Sequence, residues 1–143
     1  MSRKTESLYI ILVGCGKIGS IVASRLSAMG HNVVVIDRNE KAFERLSEEF
    51  TGFKIFGDGT EVSNLRETRI EHADVVIAAT DDDNTNFMIA AIAKQYFGVP
   101  LVISLVNDPY NEEIFRQFEI QIISPTSLSA EGILNKITSE GRH

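Results

Sequence analysis

The sequence predicts an α/β protein, a doubly wound sheet of six parallel strands with helices on both faces. Three observations carry that prediction. Short β-branched runs alternate with longer segments of helical periodicity. Several of the short runs are hydrophobic almost throughout, the pattern of parallel strands covered on both sides. A glycine-rich turn joins the first strand to the first helical segment, and an acidic residue ends the second strand.

Taken in order, "LYIILV" (8–13) is the first strand and 17–29 the first helix. Its residues Ile18, Val22, Leu26 and Met29 share one face, and Gly30 suits a left-handed stop. "NVVVID" (32–37) leads to a helix over 40–50, and "FKIF" (53–56) to one over 61–70. "ADVVIAAT" (73–80) is followed by a helix over 83–97, "PLVISL" (100–105) by one over 109–118, and "IQII" (120–123) by a last helix over 126–139. Right-handed crossovers then give a Rossmann-like strand order, 3-2-1-4-5-6. Before the last helix, Ser124 is a candidate N-cap and Pro125 fits the first helical position. Ala130, Ile133, Leu134 and Ile137 form an apolar stripe that either covers the chain's own sheet or meets a partner.

Composition narrows the function classes. The 143 residues suit one domain, 1–143, with an ordinary 43% hydrophobic and 24% charged content. No apolar run approaches the ~18 residues of a membrane span, and the polar start "MSRKTES" carries no secretory signal. One cysteine, Cys15, excludes an internal disulfide framework and a cysteine-rich zinc site, which favours a reducing cytoplasm. With 20 acidic and 14 basic residues the net charge is −6, so a nucleic-acid backbone would be repelled.

"GCGKIG" sets Gly14, Gly16 and Gly19 in GxGxxG spacing between a strand and a helix, and Asp37 follows 18 residues after Gly19. Gly14 permits a tight turn, Gly16 lets a pyrophosphate approach the backbone, and Gly19 lets the helix pack closely. The amides of Cys15, Lys17 and Ile18 complete a helix N-terminus suited to phosphate. The Asp37 carboxylate can accept from adenosine ribose hydroxyls and would repel a 2′-phosphate. NAD(H) is therefore favoured and NADP disfavoured. Arg38 can lie on adenine or form an exposed ion pair, and Lys17 can meet a phosphate or stay solvated. Cys15 is either a small filler or a redox thiol, its pKa lowered by the helix end.

In the next crevice-facing loop, Asp58 or Thr60 can cap the following helix, with Gly57 and Gly59 making a tight turn. Alternatively Asp58, Gly59 and Thr60 face the adenine end of a ligand. After the fourth strand, Ala78 and Ala79 are small enough to admit a ligand and Thr80 offers a hydroxyl. Asp81, Asp82 and Asp83 either cap a helix or gather a hard cation, and the dipole favours capping.

The order GxGxxG, "VVVIDRN", "GDGT", the "AD" into strand four, "T-D-x-x-N" (80–84) and "NDPYN" closely resembles one family. It is similar to the nucleotide-binding RCK or KTN domain of regulators of potassium conductance in Trk and Ktr uptake systems, over residues 8–138. The resemblance implies a non-catalytic cytoplasmic gating subunit, peripheral at the inner face of the membrane and docked on a membrane-embedded potassium translocation subunit. It also implies a dimer or higher ring, with a last helix that crosses to the partner. NAD(H), ATP, ADP or AMP would act as the conformational signal, held by residues 14–19, Asp37, Arg38, residues 58–60, and Ala79, Thr80 and Asp81.

Two departures from that pattern stand out. Ser104, Leu105 and Val106 replace a stretch with a basic residue, and Thr126 follows Pro125 where some relatives carry a metal-assisting glutamate. Both weaken the expectation of metal-assisted ATP binding. The ligand-sensing domain that often follows is absent from these residues.

The rival reading is the NAD-binding subunit of a split oxidoreductase. His31, His72 and His143 sit away from strand carboxyl ends, and Tyr9, Tyr96 and Tyr110 show no Tyr-x-x-x-Lys pairing. A GxSxG elbow is lacking too. A third reading is a nucleotide sensor serving a different partner.

Overall fold

The hydrophobic runs assemble into the expected sheet in a computed structural model that describes residues 6–141. Its strands are β1 (Tyr9–Val13), β2 (Asn32–Asp37), β3 (Phe53–Phe56), β4 (Val75–Ala78), β5 (Leu101–Leu105) and β6 (Gln121–Ile123). All pair in parallel in the order 3-2-1-4-5-6. Val13 lies beside both Ile36 and Ala78, so the carboxyl ends of β1, β2 and β4 finish level. That common edge is where a doubly wound sheet opens a crevice.

Two apolar layers hold the sheet. On one face Ile11, Val13, Ile36 and Val76 pack with Leu65, Ile89 and Phe115, which come from α2 (Val62–Glu67), α3 (Asp83–Ala91) and α4 (Glu112–Gln117). On the other, Leu12, Val33 and Val35 pack with Ala23 of α1 (Lys17–Ala28) and with Phe43.

Helix α1 differs from its expected orientation. Its buried residues are Gly19, Ser20, Ala23, Ser24 and Ser27, while Ile18 and Met29 are exposed and Val22 and Leu26 half-buried. Small side chains let the helix axis approach the sheet, and the larger ones flank the contact. Those serines also account for the missing helix at 40–50, where only a 3-10 segment Glu40–Arg45 forms. Ser24 Oγ accepts the Ser47 amide at 3.0 Å and Ser27 Oγ the Thr51 amide at 2.9 Å, tying that stretch along α1.

Helices α2, α3 and α4 are shorter than their patterns suggested. α3 continues as a π-helical turn, Ile92–Tyr96, and 3-10 turns precede α4 and follow α2. The last helix, α5 (Pro125–Gly141), begins as expected, the Ser127 amide donating to Ser124 Oγ at 3.2 Å. Its stripe does not cover its own sheet: Ile133, Leu134 and Ile137 are each more than 60% exposed. By register Ile77 and Ile103 share the face of Leu12 in β4 and β5. They are only half-buried, and Ile123 is exposed.

Candidate functional site

A cavity of about 700 Å³ opens at the carboxyl ends of β1, β2 and β4. Its lining gathers Gly14 to Ile18, Asp37, Arg38, Asp58, Gly59, and Ala79 to Asp81. Two expected binding residues stand outside the wall, Gly19 and Thr60. Sequence reasoning did not single out Asn39, Lys41, Arg45, Thr85 or Asn107, which line it too.

The three loop glycines have separate duties. Gly14 adopts φ +108°, and a Cβ there would lie 2.7 Å from the Ala79 carbonyl carbon. Gly19 supports the loop from behind, since a Cβ would sit 2.0 Å from the Gly14 carbonyl oxygen. Gly16 faces open space, with no heavy atom within 4 Å of where its Cβ would be. It precedes α1 with extended backbone and no side-chain cap.

The consequence is a row of unspent donors. The Gly14 amide donates to Ile36 O and that of Cys15 to Asp37 Oδ2, but the amides of Gly16, Lys17, Ile18 and Gly19 have no acceptor among the described residues. Orphan amides at a helix start, aligned with the positive dipole end, favour an anion. Lys17, Lys41 and Arg45 line the same cavity and bring positive charge to it in a chain of net charge −6.

Asp37 is held from two sides, accepting the Cys15 amide on Oδ2 and the Asn39 amide on Oδ1, both at 2.7 Å. Each carboxylate oxygen keeps a further lone pair for a hydroxyl donor. Cys15 is fully buried, and burial together with the Asp37 charge pushes its thiol up to about 11. The direction is opposite to the lowering expected from the helix end, because desolvation comes first and the Asp37 charge adds to it.

Asp58 and Thr60 do not cap α2. Asp58 Oδ1 accepts the amide and hydroxyl of Thr60 at 2.8 and 2.7 Å, bonds that hold its carboxyl below the usual carboxylate range. The α2 N-cap is Glu61, which makes no side-chain cap bond.

The three aspartates after β4 have diverged. Asp81 faces the cavity. Asp82 caps α3, accepting the Thr85 amide at 2.9 Å. Burial disfavours charge on Asp83, yet the donors of Asn107, Asp108 and Asn111 outweigh it and hold this carboxyl below its ordinary value. No group of three His, Cys, Asp or Glu among the described residues is placed to share a cation.

The residue that organises this side is Asn86, fully buried. Its Oδ1 accepts from the Thr80 amide and hydroxyl, and its Nδ2 donates to Thr80 O and Leu105 O. The "T-D-x-x-N" spacing drew attention to Asn84, which is exposed. The available signal for Asn86 was its position one turn into the helix, at the edge of the apolar run 87–93, where a buried amide needs partners.

Neither described histidine lines the cavity, and His31 Nδ1 accepts the Leu8 amide at 3.0 Å. His143 lies outside the described residues.

Residues 10–125 match the TrkA-N domain family. The "Trk system potassium uptake protein TrkA" of Streptomyces coelicolor is 34% identical over 134 residues, 94% of this chain and 60% of that protein. The chain thus spans less than two thirds of that relative's length. The solved TrkA-N domain of Escherichia coli inner membrane protein ybaL superposes with a TM-score of 0.81 at 18% identity, covering 92% of this chain and 98% of that one. An AMP-bound Shewanella denitrificans Kef CTD gives 0.77 at 20% identity, with 94% and 82% covered. The GsuK channel bound to NAD gives 0.69 at 21%, with 87% and 22% covered. With four fifths of its length matched and its glycine loop at the expected crevice, the chain belongs to the TrkA-N domain family.

Proposed function

We propose that this chain is the nucleotide-sensing part of a regulatory subunit for potassium uptake, and that the nucleotide is a signal rather than a reagent. The observation that carries the reading is the row of free amides at residues 16–18 along a cavity that Asp37 also lines. A pyrophosphate takes the amides, and ribose hydroxyls donate to Asp37. NAD(H) is the favoured ligand, AMP, ADP and ATP are alternatives, and a 2′-phosphate is repelled by Asp37. The names of the Streptomyces relative and of the NAD- and AMP-bound neighbours support this reading.

The chain works without catalysis and lies in the cytoplasm against a membrane-embedded translocation partner. No helix among the described residues is long and apolar enough to cross a membrane. It acts as a homodimer or larger ring in which α5 crosses to a second copy. The exposed stripe of α5 matches in character the face of half-buried Ile77 and Ile103 and exposed Ile123. Leu134→Asp is expected to shift the chain toward monomer in analytical ultracentrifugation.

The deciding test is calorimetric titration of nucleotide-stripped protein with NADH, NAD, ATP, ADP and AMP, with and without magnesium. A sensor binds the two members of a redox or phosphorylation pair with affinities differing about 10- to 100-fold. Equal affinity for both members overturns the signal role, and sustained turnover of NADH overturns the non-catalytic one.

A further inference from the structure

Asn107 stands where the cavity and the last helix meet. It lines the cavity beyond the end of β5. Its amide N–H donates to Asp83 Oδ1 at 2.7 Å and its side-chain Nδ2 to the same oxygen at 3.1 Å. Its carbonyl oxygen accepts from Thr126 Oγ1, the second residue of α5, at 2.9 Å. One residue thus touches the ligand space, the first turn of α3 and the root of α5.

The other ties around α5 do not reach the cavity wall. Ser124 caps the helix internally, and Ser127 donates to Glu112 of α4 at 3.3 Å. Thr126 is exposed and lies outside the lining, so its hydroxyl serves the Asn107 carbonyl rather than a ligand.

Resting on the nucleotide reading above, we infer that Asp83, Asn107 and Thr126 form a strut that couples occupancy of the cavity to the attachment of α5. Asn107 acts as a positioning residue. In the structure its amide N–H and one Nδ2 hydrogen are spent on Asp83. An anionic ligand held at residues 16–18 brings a competing acceptor into the cavity that Asn107 also lines. Asn107 turns toward the ligand, its carbonyl leaves the Thr126 hydroxyl, and α5 is released at its first turn. Coupling is reciprocal, so the Thr126 bond must oppose binding by as much as binding weakens that bond.

That reciprocity gives an outcome a purely structural bond would not. Thr126→Val removes the hydroxyl at constant shape, and NADH is then expected to bind about two- to tenfold tighter, the fold-change for one net hydrogen bond. Thr126→Ser restores the original affinity. Amide hydrogen exchange over residues 126–132 should quicken at least about threefold when NADH is added to the unaltered chain, and should already be quick in Thr126→Val. AMP, which ends near the adenosine side, is the comparison ligand for calorimetry.

Unchanged or weaker NADH binding by a folded Thr126→Val overturns the strut. So does NADH binding to the unaltered chain with no change of exchange in α5. In both cases the nucleotide reading survives. If neither NADH nor AMP binds the unaltered chain, that reading and the strut fall together.

Discussion

The loops after β1 and β4 meet at the same edge of the sheet and are built on opposite plans. The first satisfies itself sparingly: a carbonyl and one carboxylate hold its start, and four amides remain free. The second is saturated by side chains, with Asn86 making four bonds and Asp83 four more. One loop is prepared to receive an anion. The other is a brace that fixes the opposite wall and must exchange an existing bond to respond. Pre-organised donors give affinity, whereas a bond that must be exchanged gives a difference between states.

Substitutions can break this contrast, beginning with the largest expected effect. Gly14→Val combines a left-handed backbone with a clash against Ala79, so urea denaturation should show a loss of about 3 kcal/mol or more. A near-neutral result would mean the two loops do not approach so closely. Asn86→Ala strands the Thr80 amide and the Leu105 carbonyl, for a loss of about 2–4 kcal/mol in the same assay. Asp37→Ala should weaken NADH about 10- to 100-fold by calorimetry, while normal affinity would reduce the carboxylate to a clamp on Cys15 and Asn39.

Gly16→Ala sharpens the contrast. The added methyl meets no protein atom, so stability should change by under about 1 kcal/mol while it fills space a phosphate needs. A folded protein with unimpaired NADH binding would remove the phosphate from that position. The smallest effect is acid sensitivity of the brace. The Asp83 carboxyl is depressed in the folded state, so its stabilisation is complete above the ordinary carboxylate value of about 3.9 and fades as pH falls through the lowered one. Asp83→Asn should flatten that part of the stability–pH curve. An unaltered curve would mean that the four bonds to Asp83 are too weak to matter.

Strand order and the glycine crevice were legible because they rest on local patterns, namely continuous apolar runs and a turn whose spacing has one geometric solution. The buried face of α1 was not. Apolar periodicity pointed to Ile18 and Met29, but close packing on the sheet selected Gly19, Ala23 and the serines. The same serines capture the amides of Ser47 and Thr51, a long-range competition that the helical pattern of 40–50 could not reveal. On the far wall, three adjacent aspartates looked alike as letters. Only the arrival of the 107–111 segment separates Asp83 from Asp82.

Cys15 gives the glycine loop a further property. At neutral pH a thiol of pKa about 11 is ionised to roughly one part in ten thousand, and this one is sealed from solvent. Peroxides and alkylating agents therefore meet a poor nucleophile in Cys15. Under the proposed nucleotide reading, sensitivity of the loop to the cell's electron balance would arrive as the identity of a bound molecule and leave when that molecule dissociates.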